Sequence, residues 1–270
     1  MSISEPRYSR YVALGDSQTE GLGDGDEVQG YRGFADRLAS RLAELNPELL
    51  YANLAVRGKL AGEVHEEQLA AALALEPDVA TVVAGVNDVL STKFDAVTVG
   101  RHLETMFAAL TAAGAQVGTV TFPNVGQIAP LARPLVPRVV ALNEQIRQAA
   151  ARHGVCVVET FTVPVTTDSR IWSEDRLHAS PLGHELIAAS LAHALQLPDA
   201  DDSWTVPLPP QPKPSRVQAV RTELTWVGTF LGPWLNRRLR GISSGTGRTP
   251  KRPTLTPLTP TTRDDHPNQR

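Results

Sequence analysis

A serine that attacks an acyl carbon needs a histidine to take its proton, a carboxylate to hold that histidine in one tautomer, and donors aimed at the oxyanion that develops. This sequence offers one residue for each part. Ser17 lies in LGDSQTEGLGDGDE, in a glycine-flanked turn behind an apolar run, and Asp175 and His178 stand three residues apart in DRLHASPLGH. Oxyanion donors are offered by the side-chain amide of Asn87, in GVND, and by the backbone N–H of Gly58, in NLAVRGK. Each residue also has an ordinary reading. SQTE fits a capping box, in which Ser17 starts a helix and Glu20 bonds back to it. Asn87 fits a turn, Asp88 a helix cap and His178 a loop. The two readings of Ser17 are compatible, because a helix N-terminus brings a positive dipole end to an oxyanion. Glu20 is then structural, and Asp88 fixes loops by hydrogen bonding.

The elements that must position these residues are legible as runs rich in β-branched residues: YVAL, LLYANLAV, DVATVVAG, QVGTVTF and VCVVET. Helix-period segments fall between them, which predicts an α/β domain with a parallel sheet. Phe34, Leu38, Leu42 and Leu45 form one helical stripe that Pro47 stops;. SPLGHELIAASLAHALQL predicts a last core helix with Ser180 as N-cap and Pro181 at the first helical position;. The four candidate segments fall at carboxyl ends of strands or in the loops there, where open α/β sheets bind ligands.

A chain of 270 residues that is 41% hydrophobic can bury a sizeable core;. Its division is predicted as a catalytic domain over 1–197, a proline-rich linker over 198–215, a helical segment over 216–240 broken near Gly232 and Pro233, and a disordered basic Thr/Pro-rich tail over 241–270. Charge divides the same way: residues 211–270 hold 11 Lys and Arg against 3 Asp and Glu, whereas the whole chain is net −3;. The single cysteine, Cys156, permits no intramolecular disulfide and reads as a buried, inert thiol;. The N-terminal segment lacks the apolar stretch of a secretory signal and no run is long enough to span a membrane, so a cytoplasmic protein is expected. His65, His102, His153, His184 and His193 read as surface or helix residues. HEEQL and HELIA lack the second histidine of a zinc-protease helix, so no metal site is expected. EGLGDGDE fits neither a phosphate nor a calcium loop and reads as a flexible rim. Tyr31 beside it reads equally as pocket or core.

Taken together, GDS with Ser17, the Gly58 segment, GVND with Asn87 and the Asp-x-x-His of Asp175 and His178 resemble, in order, the four motifs of the SGNH hydrolase family, the GDSL-type lipases and esterases. The resemblance runs from about Tyr11 to Leu197. It implies a three-layer α/β/α fold with a mostly parallel, flavodoxin-like five-stranded sheet. It further implies that Ser17 is the nucleophile, His178 the general base and acid and Asp175 its orienting partner. The oxyanion would be held by the N–H groups of Ser17 and Gly58 and the amide of Asn87. No cofactor and no nucleic acid would be needed, and the partner would be a small acyl ester. Gln18 stands where the family name has Leu. The C-terminal extension lies outside the motif pattern and resembles those of actinobacterial members. Two alternatives to ester hydrolysis stay open: an acyltransferase using the same site, and a non-catalytic ligand-binding module on a flavodoxin-like scaffold. In the extension, WVGTFLGPWL with Arg237, Arg238 and Arg240 reads as packed on its own domain, with contact to a membrane surface through 216–240 as the alternative.

Overall fold

The computed structural model describes residues 8–212, 215–233 and 244–258. All five β-branched runs form strands: β1 (Arg10–Gly15), β4 (Leu50–Asn53), β5 (Val79–Val83), β6 (Gln116–Val120) and β7 (Cys156–Val158). A short hairpin, β2 (Gly25–Asp26) and β3 (Gly30–Tyr31), and a C-terminal strand, β8 (Arg252–Pro257), complete the set. The helices are α1 (Ser17–Glu20), α2 (Phe34–Leu45), α3 (Ala61–Ala74), α4 (Val86–Val89), α5 (Ala96–Ala112), α6 (Val125–Ile128), α7 (Val136–His153), α8 (Pro181–Ala194) and α9 (Arg216–Trp226).

The central sheet runs β7-β6-β5-β1-β4-β8, and every pair but the last is parallel. From β1 the chain goes outward to β4, then returns past β1 to β5 and on to β6 and β7. This is the flavodoxin-like order, and its reversal opens a crevice at the carboxyl ends of β1 and β5. Successive side chains of each strand face opposite layers. Val12, Leu14, Ala80 and Val82 point to α3, α5 and α7, against Val64, Leu103, Met106, Phe107 and Leu142. Tyr11, Ala13, Val79 and Val83 point the other way, to Leu38 and Leu42 on α2, Leu191 on α8 and Leu195 at its C-cap. The predicted α2 stripe buries Phe34, Leu38 and Leu42 completely, whereas Leu45, in the last turn, is 40% exposed.

Several expectations are corrected. The sheet has six strands, because part of the tail expected to be disordered is the edge strand β8, antiparallel to β4 with Tyr51 opposite Thr256 and a register shift before Asn53. Composition judged that segment by the apolar surface it buries alone. The free edge of β4 supplies backbone partners that composition does not contain, and an edge strand tolerates Pro253 and Pro257;. Leu255 and Leu258 also reach the two core layers. Residues 234–243 and 259–270 of the helical segment and tail lie outside the described residues. The linker does not run free throughout: Trp204 packs on the α2/α8 layer and the Pro209 carbonyl accepts from Arg170 at 3.0 Å. Cys156, at the outer parallel strand, is half-buried rather than buried. Among the described residues no helix is long and apolar enough to cross a membrane.

Candidate active site

β1 delivers the chain to the crevice through Gly15, whose φ of +154° belongs to glycine; a Cβ there would lie 2.3 Å from both the Thr19 hydroxyl and the Val83 carbonyl;. The turn that follows is not the anticipated capping box. Asp16 is the N-cap of α1, accepting from the Gln18 N–H at 3.2 Å, and Ser17 is the first helical residue. Burial pushes the Asp16 carboxyl up to about 7;. Glu20 turns away from Ser17 and accepts from the Arg57 N–H at 2.8 Å and from its guanidinium Nε at 3.0 Å. Arg57 also pairs with Glu27 at 2.8 Å and lies 4.9 Å over the half-buried ring of Tyr31. The buried Glu20–Arg57 pair therefore ties the helix carrying Ser17 to the turn carrying Gly58. Gly58 itself has φ +78°, which only glycine adopts freely;.

Asn87 enters on α4, after the left-handed Gly85 at the end of β5. Its amide nitrogen donates to Asp16 Oδ2 at 3.2 Å and to the Lys59 carbonyl at 3.0 Å, placing it between the Ser17 and Gly58 turns. Asp88 accepts from the Ala61 N–H at 2.9 Å at the start of α3, and burial raises its carboxyl above the ordinary value. The amide rows of β1, β4 and β5 thus bring Ser17, Gly58 and Asn87 to one point.

The loop before α8 brings the other two residues. His178 Nε2 lies 2.9 Å from Ser17 Oγ and its Nδ1 lies 2.6 Å from Asp175 Oδ2. Asp175 Oδ1 accepts from the Ser173 hydroxyl at 2.6 Å and from the N–H groups of Leu177 and His178 at 2.9 and 3.0 Å. Burial alone would raise this carboxyl, but the His178 hydrogen bond and charge, with the other donors, hold it well below the usual carboxylate range;. Asp175 therefore stays ionised, an acceptor that fixes the proton on Nδ1 and leaves Nε2 facing Ser17. Gln18, at the position where the sequence departs from GDSL, brackets the histidine: its amide nitrogen donates to the Leu177 carbonyl at 2.8 Å and its oxygen accepts from the Ala179 N–H at 3.2 Å. Sequence reasoning missed both this bracket and the Glu20–Arg57 tie, since each joins residues far apart in the chain with no spacing to betray it.

The glycine-rich segment after α1 is not a flexible rim. It forms the β2–β3 hairpin, Asp24 pairs with Arg37 at 2.8 Å, and Gly23 packs so closely on the histidine loop that a Cβ would meet the Ala179 carbonyl at 2.1 Å. His184, expected at a surface or simply on a helix, is on α8 but completely buried. Its Nδ1 accepts from the Phe34 N–H at 3.1 Å and its Nε2 donates to the Leu22 carbonyl at 2.9 Å, so it clips the hairpin to α2 in the neutral form. Burial pushes it down from 6.5 to about 4. The unfolded chain therefore binds a proton there that the folded chain refuses, and stability is lost as pH falls through that window. Urea unfolding between pH 7 and 4 is expected to show a loss of up to about 3 kcal/mol from this group, absent in His184→Gln. An identical pH slope in both proteins would remove His184 as its source.

Among the described residues no three His, Cys, Asp or Glu side chains converge as a metal site would require. An apolar cavity of about 70 Å³ adjoins the site, lined by Gln18 and Ala179, the neighbours of Ser17 and His178, and by Val83, Phe122, Trp172 and Ile187.

No curated protein matches the chain. Solved structures do, and they share its fold. A lipase/acylhydrolase from Enterococcus faecalis is 23% identical, with a TM-score of 0.57 over 70% of this chain and 95% of that one. The psychrotrophic esterase EstA from Pseudoalteromonas sp., in a structure inhibited by monoethylphosphonate, is 17% identical with a TM-score of 0.55 over 70% and 97%. The acetyl xylan esterase Axe2 from Geobacillus stearothermophilus is 16% identical with a TM-score of 0.57 over 69% and 94%. The model of the GDSL-like Lipase/Acylhydrolase family matches residues 13–186, well over half of the chain, from within β1 to within α8, a stretch that contains Ser17, Gly58, Asn87, Asp175 and His178. On that match the chain belongs to the GDSL-like lipase/acylhydrolase family of carboxylic ester hydrolases.

Proposed function

We propose that the protein hydrolyses carboxylic esters through an acyl-enzyme on Ser17. The observation that carries this is the unbroken hydrogen-bond chain from Asp175 through His178 to Ser17, at 2.6 and 2.9 Å, at the switch point of the sheet;. Ser17 Oγ attacks the ester carbonyl while its proton passes to His178 Nε2. The tetrahedral oxyanion takes hydrogen bonds from the N–H groups of Ser17 and Gly58 and from the Asn87 amide, which shares a proton now given to Asp16 or Lys59;. Collapse expels the alcohol, which leaves with the proton from Nε2. Water, deprotonated by the same nitrogen, then attacks the acyl carbon and frees Ser17 and the acid. An imidazolium cannot accept the Ser17 proton, so it is the neutral ring, with Nε2 unprotonated, that begins the reaction. The apolar cavity beside Gln18 and Ala179 suits the hydrocarbon part of an acyl group rather than a charged one;.

The test is labelling by a fluorophosphonate, which reports an activated serine without knowledge of the natural ester. A single adduct is expected, located by peptide mass on the segment containing Ser17, and blocked when His178 is replaced by Ala. An unlabelled protein, or an adduct on another serine, would refute the assignment.

A further inference from the structure

The turn that carries Asp175 and His178 is held from the inside by Gln18, and it is also held from the outside by a part of the chain beyond the family match. Arg176, between the two residues, has φ +57°, a left-handed conformation that a side chain with a Cβ adopts at a cost;. The turn's own backbone bonds, Ser173 N–H to the His178 carbonyl at 2.8 Å and Arg176 N–H to the Ser173 carbonyl at 2.9 Å, close it but give the Asp175 carbonyl no backbone donor from within the turn. Three contacts from α9 meet it there. The Trp226 indole N–H donates to the Asp175 carbonyl at 3.0 Å. The Arg176 guanidinium lies 4.9 Å over the Trp226 ring and pairs with Glu223 Oε1 at 2.6 Å. Trp226 is only 9% exposed. Glu223 and Trp226 are three apart on the helix and so face the same way.

We propose that α9 is a positioning element of the active site, with Trp226 as the residue that fixes the Asp175 carboxylate against His178. The geometry makes the connection direct. An uncompensated change in ψ of Asp175 or in φ of Arg176 re-aims the chain that follows, and so carries the His178 ring away from the Asp175 carboxylate. The indole holds the carbonyl of that peptide, and the cation–π contact and ion pair hold the side chain of the strained residue that follows. This inference rests on the hydrolytic reading of Ser17, but its structural half, the order of the Asp175–His178 pair, is observable without turnover.

The experiment replaces Trp226 by Phe, which keeps a ring under Arg176 and removes the N–H donor. Turnover of an aryl acetate is measured together with the far-downfield proton resonance of the 2.6 Å hydrogen bond between His178 and Asp175. The kcat is expected to fall about tenfold with KM changed less than twofold, as for a misplaced catalytic group. The resonance should broaden, because the Asp175 carboxylate no longer holds one position against Nδ1. Adding Arg176→Gly to Trp226→Phe should recover much of the rate, since glycine reaches a positive φ without restraint. Glu223→Gln, of unchanged size, should give a smaller loss in the same direction and serves if Trp226→Phe does not fold. Wild-type kcat and an unchanged resonance in both variants would overturn the proposal, as would a loss confined to KM. A wild-type protein that turned over no ester would instead refute the hydrolytic reading, and the resonance would still decide on the clamp.

Discussion

Replacing Ser17 by Ala is expected to lower kcat/KM on every ester the protein hydrolyses by about 10⁴- to 10⁶-fold, with His178→Ala about as damaging and the double variant little worse than either. The non-additivity follows from the 2.9 Å bond between Ser17 Oγ and His178 Nε2. In the proposed mechanism proton removal and attack are one event, so a nucleophile without its base and a base without its nucleophile fail at the same step. What survives is the activity of the oxyanion donors on water, which neither substitution touches. The fold should be indifferent to Ser17→Ala: the hydroxyl's partner in the structure is the imidazole, and the helix it begins is capped by Asp16. Melting temperatures within a degree or two of the wild type would confirm that activity, not folding, was lost. Losses that multiplied in the double variant would mean that the two residues serve separate steps, and half of the wild-type rate in Ser17→Ala would move the nucleophile elsewhere.

How much of this was legible depends on the range over which each determinant acts. The five parallel strands and the α2 stripe are local periodicities, and they appear where β-branched runs and the spacing of Phe34, Leu38 and Leu42 placed them. The candidate residues were legible as chemistry because nucleophile, base and carboxylate are residue types, and because strands of a parallel sheet end on one side. The interactions that orient them were not. Glu20 was read against its neighbour Ser17, but its partner is Arg57, and no spacing links them. Gln18 was a neutral departure from a motif, yet its amide holds both sides of His178. His184 looked like any histidine of a helix, and only the arrival of the Leu22 carbonyl and the Phe34 N–H explains why it can be buried. The tail was misjudged for the same reason on a larger scale, since the partner that orders it is an edge strand about two hundred residues earlier in the chain;.

That edge sets the second large effect. Removing residues 244–270 would be harmless if the segment were an unstructured tail; the structure forecasts the opposite. The deletion takes β8 from β4 and uncovers the sheet edge beside Tyr51, over which the Arg252 guanidinium lies at 5.2 Å while its Nε donates to the Tyr51 carbonyl at 3.0 Å. It also removes Leu255 and Leu258 from the two core layers and Lys251 from its 2.6 Å pair with Asp36. At about 25 cal/mol per Å² of apolar surface, two half-buried leucines and the stem of Arg252 account for about 3 kcal/mol, and the exposed ion pairs add little. For a domain of this size such a loss lowers the melting temperature by roughly 5–10 °C. Activity should fall as well, by a route separate from stability. Arg248 pairs with Glu27 at 2.8 Å, and Gly245 passes so close to the Arg57 carbonyl that a Cβ would lie 2.1 Å from it, so the segment backs the turn that presents Gly58. In the proposed mechanism a looser Gly58 turn weakens an oxyanion donor, and the loss should therefore appear in kcat more than in KM. Thermal melting and aryl-ester kinetics on the truncated chain at 20 °C, well below its melting point, read the two effects independently. An unchanged melting temperature would show that β8 contributes no net stability, and an unchanged kcat beside a lowered melting temperature would confine the C-terminal strand to closing the sheet.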